Sequence, residues 1–89
     1  MSYHVEFTAS AARQLAKLSA VVQNRLKPHI DSLPENPLPP GVKKLAGPDH
    51  FYRIRVGDYR IIYQIKNDIL TILVVKIGRR KDVYKRLKR

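Results

Sequence analysis

The chain has 89 residues and carries 18 Lys and Arg against 7 Asp and Glu, a formal net charge of +11. A chain this short buries only about 60% of its unfolded surface, which excludes dinucleotide-binding and barrel enzymes and leaves room for neither a second lobe nor a large cofactor cavity. With 44% hydrophobic residues and no long apolar run, the composition suits one globular core rather than a basic tail or a membrane span.

Cysteine is absent, so there is no disulfide framework and no thiolate site. Three scattered histidines, His4, His29 and His50, make a weak case for zinc, and no metal is expected. The N-terminal Met1-Ser-Tyr-His-Val-Glu has no basic flank followed by an apolar stretch, so no secretory signal is read and the cytoplasm is the expected compartment. So large a positive excess there points to nucleic acid or to a strongly acidic protein. Its distribution is uneven. Through Pro40 four basic residues face three acidic ones, whereas the remainder holds fourteen basic residues against Asp49, Asp58, Asp68 and Asp82.

Tyr3, Val5 and Phe7 alternate with His4 and Glu6, the period of a half-buried strand. Thr8 then reads as an N-cap. Ala11, Ala12, Leu15, Leu18, Val22, Leu26, Ile30 and Leu33 recur every three or four residues, and Ser19 offers a second cap, which predicts helices over 8–18 and 20–33. Pro28 falls inside the second, where a kink or an early end is expected. Pro34, Pro37, Pro39, Pro40 and Gly41 form a connection rather than an interdomain linker.

Three strand-like runs follow, Phe51–Val56, Tyr59–Lys66 and Ile69–Ile77, separated by Gly57-Asp58 and Asn67-Asp68. Two-residue loops of this composition signal hairpins, and Gly78 is taken as the end of the sheet. The expected fold class is α+β: one domain over 1–89, in the order β-α-α-β-β-β, its antiparallel sheet packed on a helical hairpin and followed by a short C-terminal helix. The last strand, apolar on both faces, is expected at the centre, between the Tyr59–Lys66 run and the N-terminal strand.

A Gly57-Asp58 turn sets Val56 opposite Tyr59, Arg55 opposite Arg60, Ile54 opposite Ile61 and Tyr52 opposite Tyr63. The apolar members then share one face and Arg53, Arg55 and Arg60 the other. Like charges directly opposed on neighbouring strands cost some tenths of a kcal/mol, so an anionic ligand explains them better than solubility does. In the basic C-terminal run, Arg80 and Tyr84 stand four apart, on one face of a helix. Neighbouring guanidinium groups favour a phenolate, and arginine suits a phosphate clamp. His4 and His50 are candidate bases by chemistry, but each reads as a surface or loop residue.

Lys44-Leu45, the run Tyr52-Arg-Ile-Arg-Val-Gly-Asp-Tyr-Arg-Ile-Ile-Tyr63 and Ile77-Gly-Arg-Arg-Lys-Asp-Val-Tyr84 closely resemble the RelE/ParE superfamily of toxin–antitoxin systems, and its RelE branch in particular. The resemblance covers nearly the whole chain. It implies the toxin of a type II system: a ribosome-dependent mRNA endoribonuclease, needing neither metal nor other cofactor, in which the ribose 2′-hydroxyl attacks the adjacent phosphate. Carried over by position, Arg60, Arg80 and Tyr84 are the catalytic residues. Arg53 and Arg55, which match lysines in the best-known bacterial member, grip the RNA together with Lys43, Lys44, Arg79 and Lys81.

The implied partners are a cognate RelB-like antitoxin, the ribosome and its mRNA, and operator DNA only through the antitoxin complex; no membrane is involved. Leu73 and Val75 fall on the arginine face, where an antitoxin helix is expected. Two other readings stand beside this one: a ParE-like inhibitor of DNA gyrase, and a noncatalytic basic RNA-binding module.

Overall fold

In the computed structural model, which describes residues 3–79, two hydroxyl caps divide the first apolar stretch. Thr8 and Ser19 stand in extended backbone, and their side chains accept from the amides of Ala11 (3.0 Å) and Val22 (3.3 Å). After strand β1 (His4–Phe7) these caps start α1 (Ala9–Ala16) and α2 (Ala20–Asp31), each slightly shorter than its predicted span. α2 runs through Pro28 instead of breaking there. The proline deprives the Asn24 carbonyl of its usual donor, but both residues are exposed and water can take the donor's place. The helix ends one turn later, where the Ser32 amide donates to the Pro28 carbonyl (3.1 Å).

The remaining strands are β2 (Lys43–Lys44), β3 (Phe51–Val56), β4 (Tyr59–Lys66) and β5 (Thr71–Arg79), and the five lie in the order β1-β5-β4-β3-β2. β2 through β5 are antiparallel to their neighbours, but β1 joins β5 in parallel, so the sheet is mixed rather than purely antiparallel. β2, only two residues long, is too short to show any period in the sequence. The β3–β4 register is the one expected, from Tyr52 opposite Tyr63 to Val56 opposite Tyr59. Gly57 takes a φ of +60° in this turn, and a Cβ there would press on the Arg25 guanidinium at 3.3 Å.

Two expectations for the last strand are corrected. Asn67–Ile69 is a 3₁₀ turn followed by left-handed Leu70 (φ +48°), not a two-residue hairpin loop, so β5 begins at Thr71. Ile69 and Leu70, which read as strand, project from this turn and are exposed. Nor does Gly78 end the sheet: it pairs with Arg60, and Arg79 beyond it pairs with Tyr59. The C-terminal helix expected from the sequence lies outside the described residues.

Ala11, Leu26, Ile30 and Leu33 pack against Ile54, Val56, Ile61, Tyr63, Ile72, Val74 and Ile77, which places the core between the helices and one sheet face. Tyr63 is fully buried, stacked on Tyr52 with ring centroids 5.9 Å apart, and its hydroxyl donates to the Pro37 carbonyl at 2.6 Å. That bond ties the proline-rich connection to the centre of the sheet. Burial, and secondarily the neighbouring Tyr52, raises the Tyr63 pKa well above the ordinary tyrosine value, so it remains a donor at any working pH.

One irregularity governs β5. Ile61 pairs with Ile77 and Ile62 with Lys76, but Tyr63 pairs with Val74, so Val75 is an extra residue, a β-bulge. Strict alternation from Ile72 and Val74 would drive Lys76 into the core; the bulge instead brings Ile77 inward and leaves Lys76 opposite Ile62. Beyond the end of β1, α1 covers the open edge of β5. The Thr8 amide donates to the Val74 carbonyl (3.0 Å), the Thr8 hydroxyl to Val75 (3.4 Å), and the Ile77 amide donates to Gln14 Oε1 (2.8 Å).

Tyr63→Phe leaves the Pro37 carbonyl unpaired and is expected to cost about 1–3 kcal/mol at neutral pH. Because folding raises the tyrosine's pKa, wild-type stability declines as pH climbs past the unfolded value of about 10, and the variant declines less. Urea unfolding from pH 7 to alkaline pH reads both effects. Gln14→Ala strips the acceptor from Ile77 and is expected to cost about 1 kcal/mol, with faster hydrogen exchange at the Ile77 amide.

Candidate functional site

The sheet face turned away from the helices collects the cations of four strands. Arg53 pairs with Lys43 on one side and Ile62 on the other; Arg55 stands opposite Arg60, and Arg60 opposite Gly78. Lys43, Arg53, Arg55 and Arg60 therefore share this face, together with Lys76 opposite Ile62. Leu73 and Val75 supply its half-buried apolar part. Lys44 pairs with Tyr52 and belongs to the other side.

The arginines do not all splay into water. Arg53 is 8% exposed and Arg60 6%, whereas Arg55 is open to solvent. Arg60 is fixed by its own turn, with Nη1 donating to the carbonyls of Tyr59 (3.1 Å) and Gly57 (3.3 Å). Carbonyl dipoles orient a guanidinium without cancelling its charge, so Arg60 presents a fixed cation to whatever occupies the face. Such a group can bind phosphate and stabilise charge that develops on it; it cannot carry a proton. Arg25, for which the sequence pattern offers no signal, reaches the same turn from α2.

Arg79 lies elsewhere. It pairs with Tyr59 on the helix-facing side, and its guanidinium carbon sits 5.9 Å from the Tyr59 ring centroid. It borders a cleft of about 340 Å³ lined by Gln14, Lys17, Leu18, Tyr59, Lys76 and Gly78. The pattern holds one clue to Lys76: a lysine placed inward by strict alternation has to escape, and a bulge is the escape.

The histidines are not brought to the arginines. His4 pairs with Glu6 at 3.3 Å on β1, and His50, left-handed at φ +57°, borders a cleft with Tyr3, Tyr52 and Asn67 at the opposite end of the sheet from the Gly57 turn. Among the described residues no cluster of three or more His, Cys, Asp or Glu could hold a metal, and no helix is long and apolar enough to cross a membrane. Arg80, Lys81 and Tyr84 lie outside the described residues.

Residues 5–84 match the ParE toxin family of type II toxin–antitoxin systems, parDE. A toxin named RelE1 from Methanocaldococcus jannaschii is 33% identical over 88 residues, covering 96% of this chain and 98% of that protein. The mRNA interferase toxin RelE of Escherichia coli K12 is 28% identical over 87 residues, covering 94% and 92%. In solved structures, the toxin of the archaeal RelE–RelB complex from Pyrococcus horikoshii superposes with a TM-score of 0.79 at 30% identity, over 93% of this chain and 100% of that one. A match across nearly the whole sequence, joined to the same two-helix, five-strand fold, places this chain in the ParE/RelE family of type II toxin–antitoxin toxins.

Proposed function

We propose that this toxin is a ribosome-dependent mRNA endoribonuclease that cleaves the codon in the decoding site without a catalytic metal. The observation that carries the reading is the arginine face: Arg53, Arg55 and Arg60 gathered on adjacent strands, two of them nearly buried and Arg60 oriented by main-chain carbonyls. The similarity to an enzyme named mRNA interferase supports it.

In this reaction Tyr84 takes the proton from the ribose 2′-hydroxyl, whose oxygen attacks the adjacent phosphorus. Arg60 and Arg80 hold the phosphate as negative charge builds on its oxygens. The P–O5′ bond breaks and the leaving 5′-oxygen takes a proton from solvent water, giving a 2′,3′-cyclic phosphate and a free 5′-hydroxyl. Arg53 and Arg55 grip the flanking backbone, and Lys43, Lys44 and Lys81 with the remaining C-terminal cations meet ribosomal RNA. The requirement for a 2′-hydroxyl makes the substrate RNA. A RelB-like antitoxin silences the toxin by covering the cationic face, with Leu73 and Val75 as its apolar footing.

One observation favours a second reading: the matching family is described by ParE, a relationship that suggests inhibition of DNA gyrase. The two separate in vitro. With mRNA-programmed ribosomes, Arg60→Ala, Arg80→Ala and Tyr84→Phe are each expected to slow cleavage by about 100-fold or more, and a 2′-deoxy nucleotide at the cleaved position abolishes it. Intact cleavage by Arg80→Ala and Tyr84→Phe would remove those residues from the mechanism. Inhibited supercoiling by gyrase with uncut mRNA would select the ParE reading.

A further inference from the structure

Another cleft opens where β2 leaves the edge of β3. Continued beyond Lys43, the β2–β3 register would set Gly41 opposite Arg55. Pro39 and Pro40 have no amide to donate, and the chain turns away instead: the Val42 amide closes on the Pro39 carbonyl (3.1 Å), with Gly41 at a φ of +86°. The gap left between this turn, the end of α2 and β3 has a volume of about 420 Å³, within the roughly 300–1,000 Å³ of small-ligand sites. Its described lining residues, and their neighbours on either side in the chain, all fall within residues 28–56.

The walls combine apolar surface with a few placed polar groups. Pro39, Pro40 and the buried Ile54 supply the apolar part. The open edge of β3 supplies part of the rest. The Leu45 amide donates to the Phe51 carbonyl (2.9 Å), so the main-chain groups of Phe51, and by alternation those of Arg53 and Arg55, face the β2 side. Arg53 is met there by Lys43, whereas the N–H and C=O of Arg55 have no strand partner among the described residues and open on the cleft. From α2, the Ser32 hydroxyl donates to the His29 carbonyl (3.0 Å), and with its proton so committed the Ser32 oxygen is left as an acceptor. The Arg53 side chain has interactions of its own and adds only bulk.

We infer that this cleft receives one nucleobase of the bound RNA and selects, by hydrogen bonding, a base that carries an exocyclic amino group. The proposed function sets the RNA backbone on Arg55, and a base attached to that backbone falls beside the cleft. Proline rings and Ile54 pack on the flat face of the base, and the Arg55 N–H donates to a ring acceptor. The Arg55 carbonyl and Ser32 Oγ are then two acceptors that need donors. Adenine, cytosine and guanine each bring an amino group with two N–H bonds, whereas uracil in a nucleotide has a single N–H and leaves one acceptor unmatched. One open residue is too short a ladder for an added peptide strand. The inference rests on the proposed function in naming RNA as the ligand, and it needs no net positive potential in the cleft.

The test is an NMR titration of the purified full-length toxin with the four ribonucleoside 3′-monophosphates and, separately, with inorganic phosphate. The adenine, cytosine and guanine nucleotides are expected to shift the amides of Ser32, Gly41 and Arg55, and inorganic phosphate to leave those of Ser32 and Gly41 in place. The uridine nucleotide should bind about 3- to 10-fold more weakly, the loss expected for one unmatched acceptor. Ser32→Ala closes most of that gap, and Ser32→Thr, which keeps a hydroxyl, preserves it. On mRNA-programmed ribosomes, the kcat/KM ratio between codons without and with uridine at the position read should narrow by the same factor in Ser32→Ala. Thermal unfolding confirms that each variant is folded.

Equal affinity for the four nucleotides, a preference for uridine, or Ser32 and Gly41 amides that stay in place or move equally with inorganic phosphate would each overturn the inference. The two proposals fail separately. The titration uses no ribosome, so a toxin that cleaves nothing still answers it, and cleavage that depends on Arg80 and Tyr84 in a protein whose Ser32 and Gly41 amides never move removes the cleft alone.

Discussion

Two helices cannot cover both faces of a five-stranded sheet, and much of this molecule follows from that shortage. Most apolar residues of β3, β4 and β5 are committed to the covered face, where Ile61, Tyr63, Ile72 and Val74 are fully buried against Leu26 and Leu33, while Ile62 is buried on the other face, opposite Arg53 and Lys76. The strands alternate, so every residue facing the helices has a neighbour facing away, and on β3 and the start of β4 those neighbours are arginines. Guanidinium groups directly opposed across a ladder repel one another, and an anionic ligand relieves that repulsion. A core arrangement that makes the domain stable therefore also gathers the arginines of β3 and β4 on its second face.

The bulge at Val75 sets the limits of that cationic face. Without it, the phase of β5 would place Lys76 under the helices, where an ammonium group is costly to bury, and would expose Ile77 among the arginines. With it, Ile77 completes the core and Lys76 joins the cationic side, while Arg79 passes to the Tyr59 side and the end of the strand carries charge around both faces. The irregularity needs support because it falls where β1 has already ended, and Thr8 and Gln14 of the α1 segment supply the missing edge partners. Helix α1 thus acts on the site at a distance. It fixes the backbone from which Lys76 and Arg79 project.

The sequence disclosed what depends on short-range pattern. Both caps, the β3–β4 register and the arginine face follow from period, turn chemistry and pairing rules, all local quantities. It did not disclose what depends on three-dimensional neighbours. β2 is too short to carry a period, and it forms because Lys43 and Lys44 come to lie along β3. The turn at Asn67–Ile69 was masked by the apolar Ile69 and Leu70, which look like strand and sit in solvent. Pro28 stays helical because its orphaned acceptor is exposed, a circumstance that propensity does not contain. The displacement of Arg79 from the arginine face is the consequence for the site, since one inserted residue inverts every assignment after it.

The choice of arginine at positions 53, 55 and 60 constrains the proposed chemistry more than the charge itself does. A lysine can lower its pKa and take part in proton transfer, whereas a guanidinium remains charged at any pH at which the protein is folded. This face can hold phosphate and offset developing charge, but the proton of the 2′-hydroxyl must leave by another route, which places that burden on Tyr84 or on the RNA and ribosome around the scissile bond. A domain with so little interior has no means of enclosing its substrate or of excluding water from it. Its contribution is a fixed array of cations held on a rigid sheet, and the proposed dependence on the ribosome follows from the same limit, because alignment of the attacking hydroxyl then comes from the partner that holds the codon.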